Sequence, residues 1–191
     1  MEELPKRLQS VLNKVNAALA VGKSVLLLGR AGSGKTMVAR RAQARIDEAK
    51  QRDLGAIYRM AGFSDTSVWV PNPFRAPHHT VSFTGLVGDG KAFRPGELSL
   101  AHGGVLFLDE VDEFQTRCLE AVAHAWENKC VEYGLCSQWL RGLPADFALI
   151  GTMNIPERFY SPDGYDLSEY RRHKSRVLSI LPFDVEIEIE A

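Results

Sequence analysis

The string Gly29-Arg30-Ala31-Gly32-Ser33-Gly34-Lys35-Thr36 constrains this chain more than any other segment. It fits the pattern GxxxxGK[ST], and its setting matters as much as its letters. Ser24 to Leu28, just before it, is a mostly apolar run without alternation, as expected of a strand covered on both faces. After it, Val38, Ala42, Ile46 and Ala49 recur at helical spacing, so a helix is expected from Lys35 to about Arg52. Arg40, Arg41, Arg45, Asp47, Glu48 and Lys50 read as its solvated face. Glycines between a strand and a helix let backbone N–H groups curl around a phosphate, with the helix dipole behind them. In that setting Lys35 reaches the β- and γ-phosphates and the Thr36 hydroxyl ligates Mg²⁺. The expected ligand is therefore ATP with Mg²⁺, wrapped by Gly29, Arg30, Ala31, Gly32, Ser33, Gly34, Lys35 and Thr36.

Two further elements point to the same chemistry. Val105-Leu106-Phe107-Leu108 is a short apolar strand that ends in Asp109-Glu110. Ligands of open α/β sheets bind at the carboxyl ends of strands, so these carboxylates are expected beside the glycine-rich turn. Asp109 is the candidate Mg²⁺ ligand alongside Thr36, and Glu110 the candidate group that polarises an attacking water. Asn154, at the tip of Phe147 to Met153, is the third, placed to orient that water or touch the γ-phosphate. An Asn so close to Pro156 could also be a turn residue.

The rest of the chain supplies a frame. Leu4, Leu8, Val11, Leu12, Val15 and Leu19 mark an amphipathic helix within residues 1–22. Ala56 to Ala61 reads as a second strand, and 62–103 as irregular, with Pro71, Pro73, Pro77 and Pro95. Phe114 to Trp126 reads as helix, Val131 to Trp139 as a hairpin turning near Gly134, and 156–176 as polar and turn-rich. Val185 to Ile189 alternates apolar and acidic residues like an edge strand. Strands alternating with helices over 191 residues imply one α/β domain with a parallel sheet and crossover helices.

Bulk properties exclude more than they assert. With 23 basic and 24 acidic residues, no global field draws the chain to DNA or to a membrane. No apolar run approaches the ~20 residues of a membrane span, and the mixed-charge start lacks the order of a signal peptide. Three cysteines, Cys118, Cys130 and Cys136, without CxxC spacing fit a reducing cytoplasm. Cys130 and Cys136 could face each other across the hairpin, but read as small core or hairpin residues rather than a redox or metal pair. Adjacent His78 and His79 would point to opposite faces of a strand, which suits a shared metal ion poorly.

Two longer strings join these residues: Pro73-Phe74-Arg75-Ala76-Pro77-His78-His79-Thr80, and the run from Arg94 through Pro95-Gly96-Glu97-Leu98-Ser99-Leu100-Ala101-His102 to Gly104. With the Asp109-Glu110 strand they resemble the magnesium chelatase ATPase family, nearest its ComM (YifB) branch, while Phe147 to Asn154 is closer to the chelatase I subunit. The similarity runs from about Ser24 to Asn154. It implies a P-loop NTPase with an AAA+ core, sheet order 5-1-4-3-2, a helix-2 insertion over 80–103 and a pre-sensor-1 hairpin over 131–140. It also makes the His pair part of a loop motif, and implies ATP-dependent rings, usually hexamers.

The departures are as informative. Relatives carry an Asp-Arg before the Phe-Asp of the last strand, whose Arg reaches a neighbour's ATP. Ser179-Ile180-Leu181-Pro182-Phe183-Asp184 holds no arginine here. Arg171, Arg172 and Arg176 are the candidate substitutes, acting in trans. The Asn-Pro-Cys-Pro-Cys-Gly string of the ComM branch is replaced by Asn154-Ile155-Pro156-Glu157-Arg158. The sequence ends after the expected fifth strand, so the helical lid is expected to be absent, as is ComM's additional N-terminal domain. Two functions compete on these residues. One is a homo-oligomeric ring ATPase acting on nucleic acid, with DNA as a candidate, or on a partner protein. The other is an ATP-binding interaction module with weak hydrolysis, whose lid or arginine finger comes from a partner AAA+ chain. The intact catalytic set speaks against a functionless remnant, and nothing identifies a tetrapyrrole partner.

Overall fold

A computed structural model describes residues 4–43, 48–63, 73–92, 94–132, 142–156 and 168–190. Helix α1 (Lys6–Ala20) leads into strand β1 (Val25–Gly29), the glycine-rich turn and helix α2 (Lys35–Ala39). Helix α3 (Glu48–Met60) and the short strand β2 (Phe74–Arg75) follow. Next come α4 (Phe83–Val87), the paired β3 (Gly88–Asp89) and β4 (Arg94–Pro95), and α5 (Glu97–Leu100). Strand β5 (Val105–Leu108) runs into a 3-10 turn (Val111–Glu113) and α6 (Thr116–Asn128). The chain continues through β6 (Cys130–Val131), β7 (Leu143–Pro144), β8 (Ala148–Asn154), α7 (Ser168–Ile180) and β9 (Val185–Ile189).

Five strands form one sheet in the order β2-β5-β8-β1-β9, with every pairing parallel. Numbered along the chain and read from the β9 edge, the order is 5-1-4-3-2. The apolar runs lack alternation because both faces are covered. On β1, Val25 and Leu27 pack with Leu8, Leu12 and Val15 of α1 and with Val38 of α2. Leu26 and Leu28 face the other way, toward Cys118, Leu119 and Val122 of α6 and Val177 of α7. Strand β5 divides likewise, Val105 and Phe107 to the first layer, Leu106 and Leu108 to the second. At the β9 edge, Asp184 accepts hydrogen bonds from the Ser24 amide (2.8 Å) and hydroxyl (2.7 Å), pinning the start of β9 to that of β1.

Several expectations need correction. The helix expected from Lys35 to Arg52 ends at Ala39. Its last amides tighten to Arg41 N→Val38 O and Ala42 N→Ala39 O, and the Gln43 amide donates to Asn16 Oδ1 of α1. A side chain from α1 thus takes the donor that a continuing helix would use. Ile46 lies outside the described residues. The strand expected at Ala56 to Ala61 belongs to α3, where Leu54 and Ile57, one helical turn apart, are buried. The second strand is instead the two-residue edge β2, too short to show a period.

The segment 156–176, read as turn-rich, contains most of α7. Tyr170 and Val177 carry its apolar stripe, which continues to Leu181 just past its end, and the intervening run from Arg171 to Arg176 hides it. The hairpin root is β6 and β7, with Val131 opposite Leu143, wider than the 131–140 expected. Gly134, Cys136 and Trp139 lie outside the described residues. His78 and His79 do not lie on opposite faces of a strand; their rings stack with centroids 4.0 Å apart in the turn after β2. No described helix is long and apolar enough to cross a membrane.

Candidate functional site

The sheet register brings the candidate residues together. Gly29, last residue of β1, is the register partner of Asn154, last residue of β8. Leu108, last residue of β5, partners Gly151. Adjacent strands therefore deliver the glycine-rich turn, Asp109-Glu110 and Asn154 to one edge. There a cleft of about 350 Å³ is lined by Ala31, Gly32, Gly34, Lys35, Thr36, Met37, Asp109, Glu110 and Asn154. Of the predicted set, Gly29, Arg30 and Ser33 do not line it. Ser33 is buried, and its hydroxyl has no hydrogen-bond partner.

The turn is built for glycine. Gly34 has φ +97°, a conformation that strains any residue with a side chain, and a Cβ there would also push Leu8 Cδ1, 2.6 Å away, aside. Lys35, only 6% exposed, donates from its ammonium to the carbonyls of Gly29 (2.9 Å) and Arg30 (2.8 Å). Burial pulls its pKa below the ordinary lysine value, while Asp109 and Glu110 oppose that shift and favour the charged form.

The acidic side of the cleft is a relay of short contacts. Thr152, fully buried on β8, donates to Asp109 Oδ1 at 2.6 Å and accepts the Glu110 amide N–H at 2.9 Å. The other Asp109 oxygen lies 3.3 Å from the Thr36 hydroxyl. Asn154 donates to Glu110 Oε1 at 2.8 Å. Glu110 adopts φ 53°, ψ 60°, a left-handed conformation that costs a non-glycine residue free energy and is held by these neighbours. Two oxygens on adjacent vertices of a Mg²⁺ octahedron sit about 3 Å apart, so the Thr36–Asp109 pair fits the ion. A donor set this small also suits Mg²⁺, which keeps waters and takes phosphate oxygens as further ligands.

Sequence reasoning missed Thr152. Its signal is a lone hydroxyl in an otherwise apolar strand, one residue short of where the apolar run ends. A second missed contact comes from α7, where the Arg176 guanidinium donates to the Asp112 carbonyl in the turn that follows Glu110. Asp112 has one carboxylate oxygen buried without a hydrogen-bond partner, and burial raises its pKa. Arg171 and Arg172 are exposed on the same helix, away from this cleft's lining.

Comparison with known proteins identifies the family and the fold. Residues 7–166 match the family described as magnesium chelatase, subunit ChlI. YifB of Escherichia coli K12 is 36% identical over 157 residues, covering 80% of this chain and 30% of YifB. The competence protein ComM of Haemophilus influenzae is 35% identical over 170 residues, covering 86% of this chain and 32% of ComM. The chain thus spans about a third of the length of these relatives. Among solved structures, NtrX from Brucella abortus in complex with ATP superposes with a TM-score of 0.60 at 15% identity, over 100% of this chain and 38% of NtrX. Hsp104 with ATPγS and casein superposes with a TM-score of 0.51 at 17% identity, over 87% of this chain and 28% of Hsp104. Both are AAA+ P-loop proteins, and at these identities they speak for the fold alone. The chain belongs to the magnesium chelatase family and has the AAA+ form of the P-loop α/β fold.

Proposed function

We propose that this chain binds Mg-ATP in the cleft between the glycine-rich turn and the Asp109-Glu110 edge, and hydrolyses it. The observation that carries the reading is the convergence of Lys35, Thr36, Asp109, Glu110 and Asn154 on one cleft. Thr36 and Asp109 would hold Mg²⁺, which when bound neutralises charge on the β- and γ-phosphate oxygens. Lys35 exchanges the carbonyls of Gly29 and Arg30 for phosphate oxygens, a trade its burial favours because an ammonium there needs a charged partner. Glu110 takes the proton of the attacking water, and Asn154, bonded to Glu110 Oε1, fixes the carboxylate that does so. The superposing NtrX and Hsp104 structures hold ATP and ATPγS, and the family likeness points the same way.

The larger role we propose rests on the family resemblance. A homo-oligomeric ring acting on nucleic acid or on a partner protein fits the relatedness to ComM and YifB. One observation favours the second reading, an ATP-binding module completed by another chain. Pro182 stands where an arginine is expected, and Arg176 is already engaged within its own chain. Replacing Glu110 by Gln separates the steps. Mg-ATP binding is expected to persist, while turnover falls by about 10²–10⁴-fold, the usual contribution of a general base. Wild-type turnover in Glu110→Gln would remove Glu110 from the chemistry. Binding without turnover in the unaltered protein would favour the module.

A further inference from the structure

Helix α2 leaves one long apolar side chain outside the core. Lys35, Val38 and Ala39 are buried, whereas Met37 is 42% exposed. An exposed methionine is ordinary in itself, because much of any protein surface is apolar. Its place is not. Among the described residues, Val21, Met37, Met60, Phe63 and Phe83 are large apolar side chains left exposed, and of these Met37 alone lines the cleft of about 350 Å³.

The rest of that lining suits the phosphate end of a nucleotide. Gly32 and Gly34 offer backbone, and Lys35, Thr36, Asp109, Glu110 and Asn154 bring charge or hydrogen-bonding groups. Such groups have little to offer the flat face of a base. The direction of Met37 follows from the helix. Successive residues turn by about 100°, so Met37 points about 100° beyond Thr36, on the side away from Lys35. Thr36 faces Asp109, its hydroxyl 3.3 Å from that carboxylate. Met37 is thus turned away from the acidic edge, toward the side left for ribose and base once the terminal phosphates meet Lys35 and the Thr36–Asp109 pair.

We propose that Met37 holds the nucleobase of the bound nucleotide, its thioether lying against the face of the ring. The inference rests on the assignment of this cleft to Mg-ATP and names the residue that tells a nucleotide from an inorganic polyphosphate. A thioether is polarisable and has rotatable bonds enough to settle on a ring, a contact that is favourable with sulfur about 5 Å from an aromatic. The exposure of Met37 in the empty cleft is then the open half of a contact that the base completes.

Two measurements on the full chain test this. In the first, Mg-ATP and magnesium tripolyphosphate are titrated calorimetrically into wild type, Met37→Ala and Met37→Leu. Met37→Ala is expected to bind ATP about two- to tenfold more weakly, with tripolyphosphate affinity unchanged. Met37→Leu keeps an apolar side chain on α2 and retains most of the ATP affinity. Met37 is exposed, so neither variant removes core packing, and circular dichroism checks that each is folded. In the second, the methionine methyl groups are labelled with carbon-13 and Mg-ADP is added. A nuclear Overhauser effect is expected between adenine protons and the one methyl resonance that Met37→Leu deletes, and it decides the matter even where tripolyphosphate binds too weakly to measure. No binding of any of these ligands by the wild type would overturn the ATP assignment and this inference with it. Nucleotide binding with an unchanged ATP affinity in Met37→Ala, an equal loss for ATP and tripolyphosphate, or no contact between that methyl and the base would overturn this inference alone.

Discussion

The hydroxyl of Thr152 lies 2.6 Å from Asp109 Oδ1, so a buried side chain on the central strand sets the rotation of a carboxylate at the sheet edge. The same oxygen accepts the amide of Glu110, a residue in a left-handed conformation. One hydroxyl thereby positions both acidic groups of the cleft.

Thr152→Val keeps the shape and removes the hydroxyl. It leaves the half-buried Glu110 N–H without its acceptor and Asp109 without its donor. Stability is expected to fall by about 0.5–1.5 kcal/mol, the net worth of a typical hydrogen bond. ATP turnover should fall by more than Mg-ATP affinity does, because Glu110 loses its aim, and Thr152→Ser should restore both. Chemical unfolding combined with steady-state kinetics reads the two effects. A Thr152→Val protein with unchanged turnover would show that Asp109 and Glu110 hold their positions without it.

Asp184 ties stability to pH. The hydrogen bonds from Ser24 depress its folded pKa below the ordinary carboxylate value, so the folded state favours the ionised form. That contribution is complete above about pH 4, near the unfolded value, and is lost as pH falls through the lower folded value. Urea unfolding of wild type and Asp184→Asn should show a stability gap near neutral pH that closes below about pH 4. Asp146 is also depressed, chiefly by Lys50 against the opposing effect of burial, but is common to both proteins. A gap constant down to pH 2 would remove Asp184 from the acid response.

The arginines of α7 divide by environment. Arg171 and Arg172 are exposed, whereas Arg176 holds the Asp112 carbonyl in the turn after Glu110. If one of the exposed pair serves in trans, turnover per molecule rises with protein concentration. Its replacement by Ala then lowers turnover while sparing affinity; arginine fingers contribute on the order of 10³–10⁵ in rate. Arg176→Ala should instead lower turnover at every concentration, through the turn that carries Glu110. Concentration-independent activity with both exposed arginines silent would point to another chain as the donor.

Much of the fold was legible because its signals are local. The strand before Gly29, the strand before Asp109 and the apolar run ending at Asn154 each announce a buried parallel strand, and the sheet sets their tips side by side. What escaped depends on distant partners. Asn16 ends α2 from another helix, and nothing near Gln43 encodes that hydrogen bond. β2 is a strand only because β5 pairs with it. The stripe of α7 is spread over Tyr170 and Val177 and on to Leu181 beyond its end, with charged residues between. Thr152 looked like one polar letter in a core strand until the register put it under Asp109.

Calorimetric titration of Mg-ATP into the wild-type chain and into Lys35→Ala tests the site most directly. The substitution removes the ammonium that bridges the carbonyls of Gly29 and Arg30 and that, in the proposed reading, turns to phosphate when nucleotide binds. Saturable binding is expected in the wild type. In Lys35→Ala it should weaken by at least ~10–100-fold, the worth of a charge-assisted contact of about 1.5–3 kcal/mol, in a variant whose folding is checked separately. Equal affinity in a folded Lys35→Ala protein, or no Mg-ATP binding by the wild type, would contradict the assignment of this cleft to ATP.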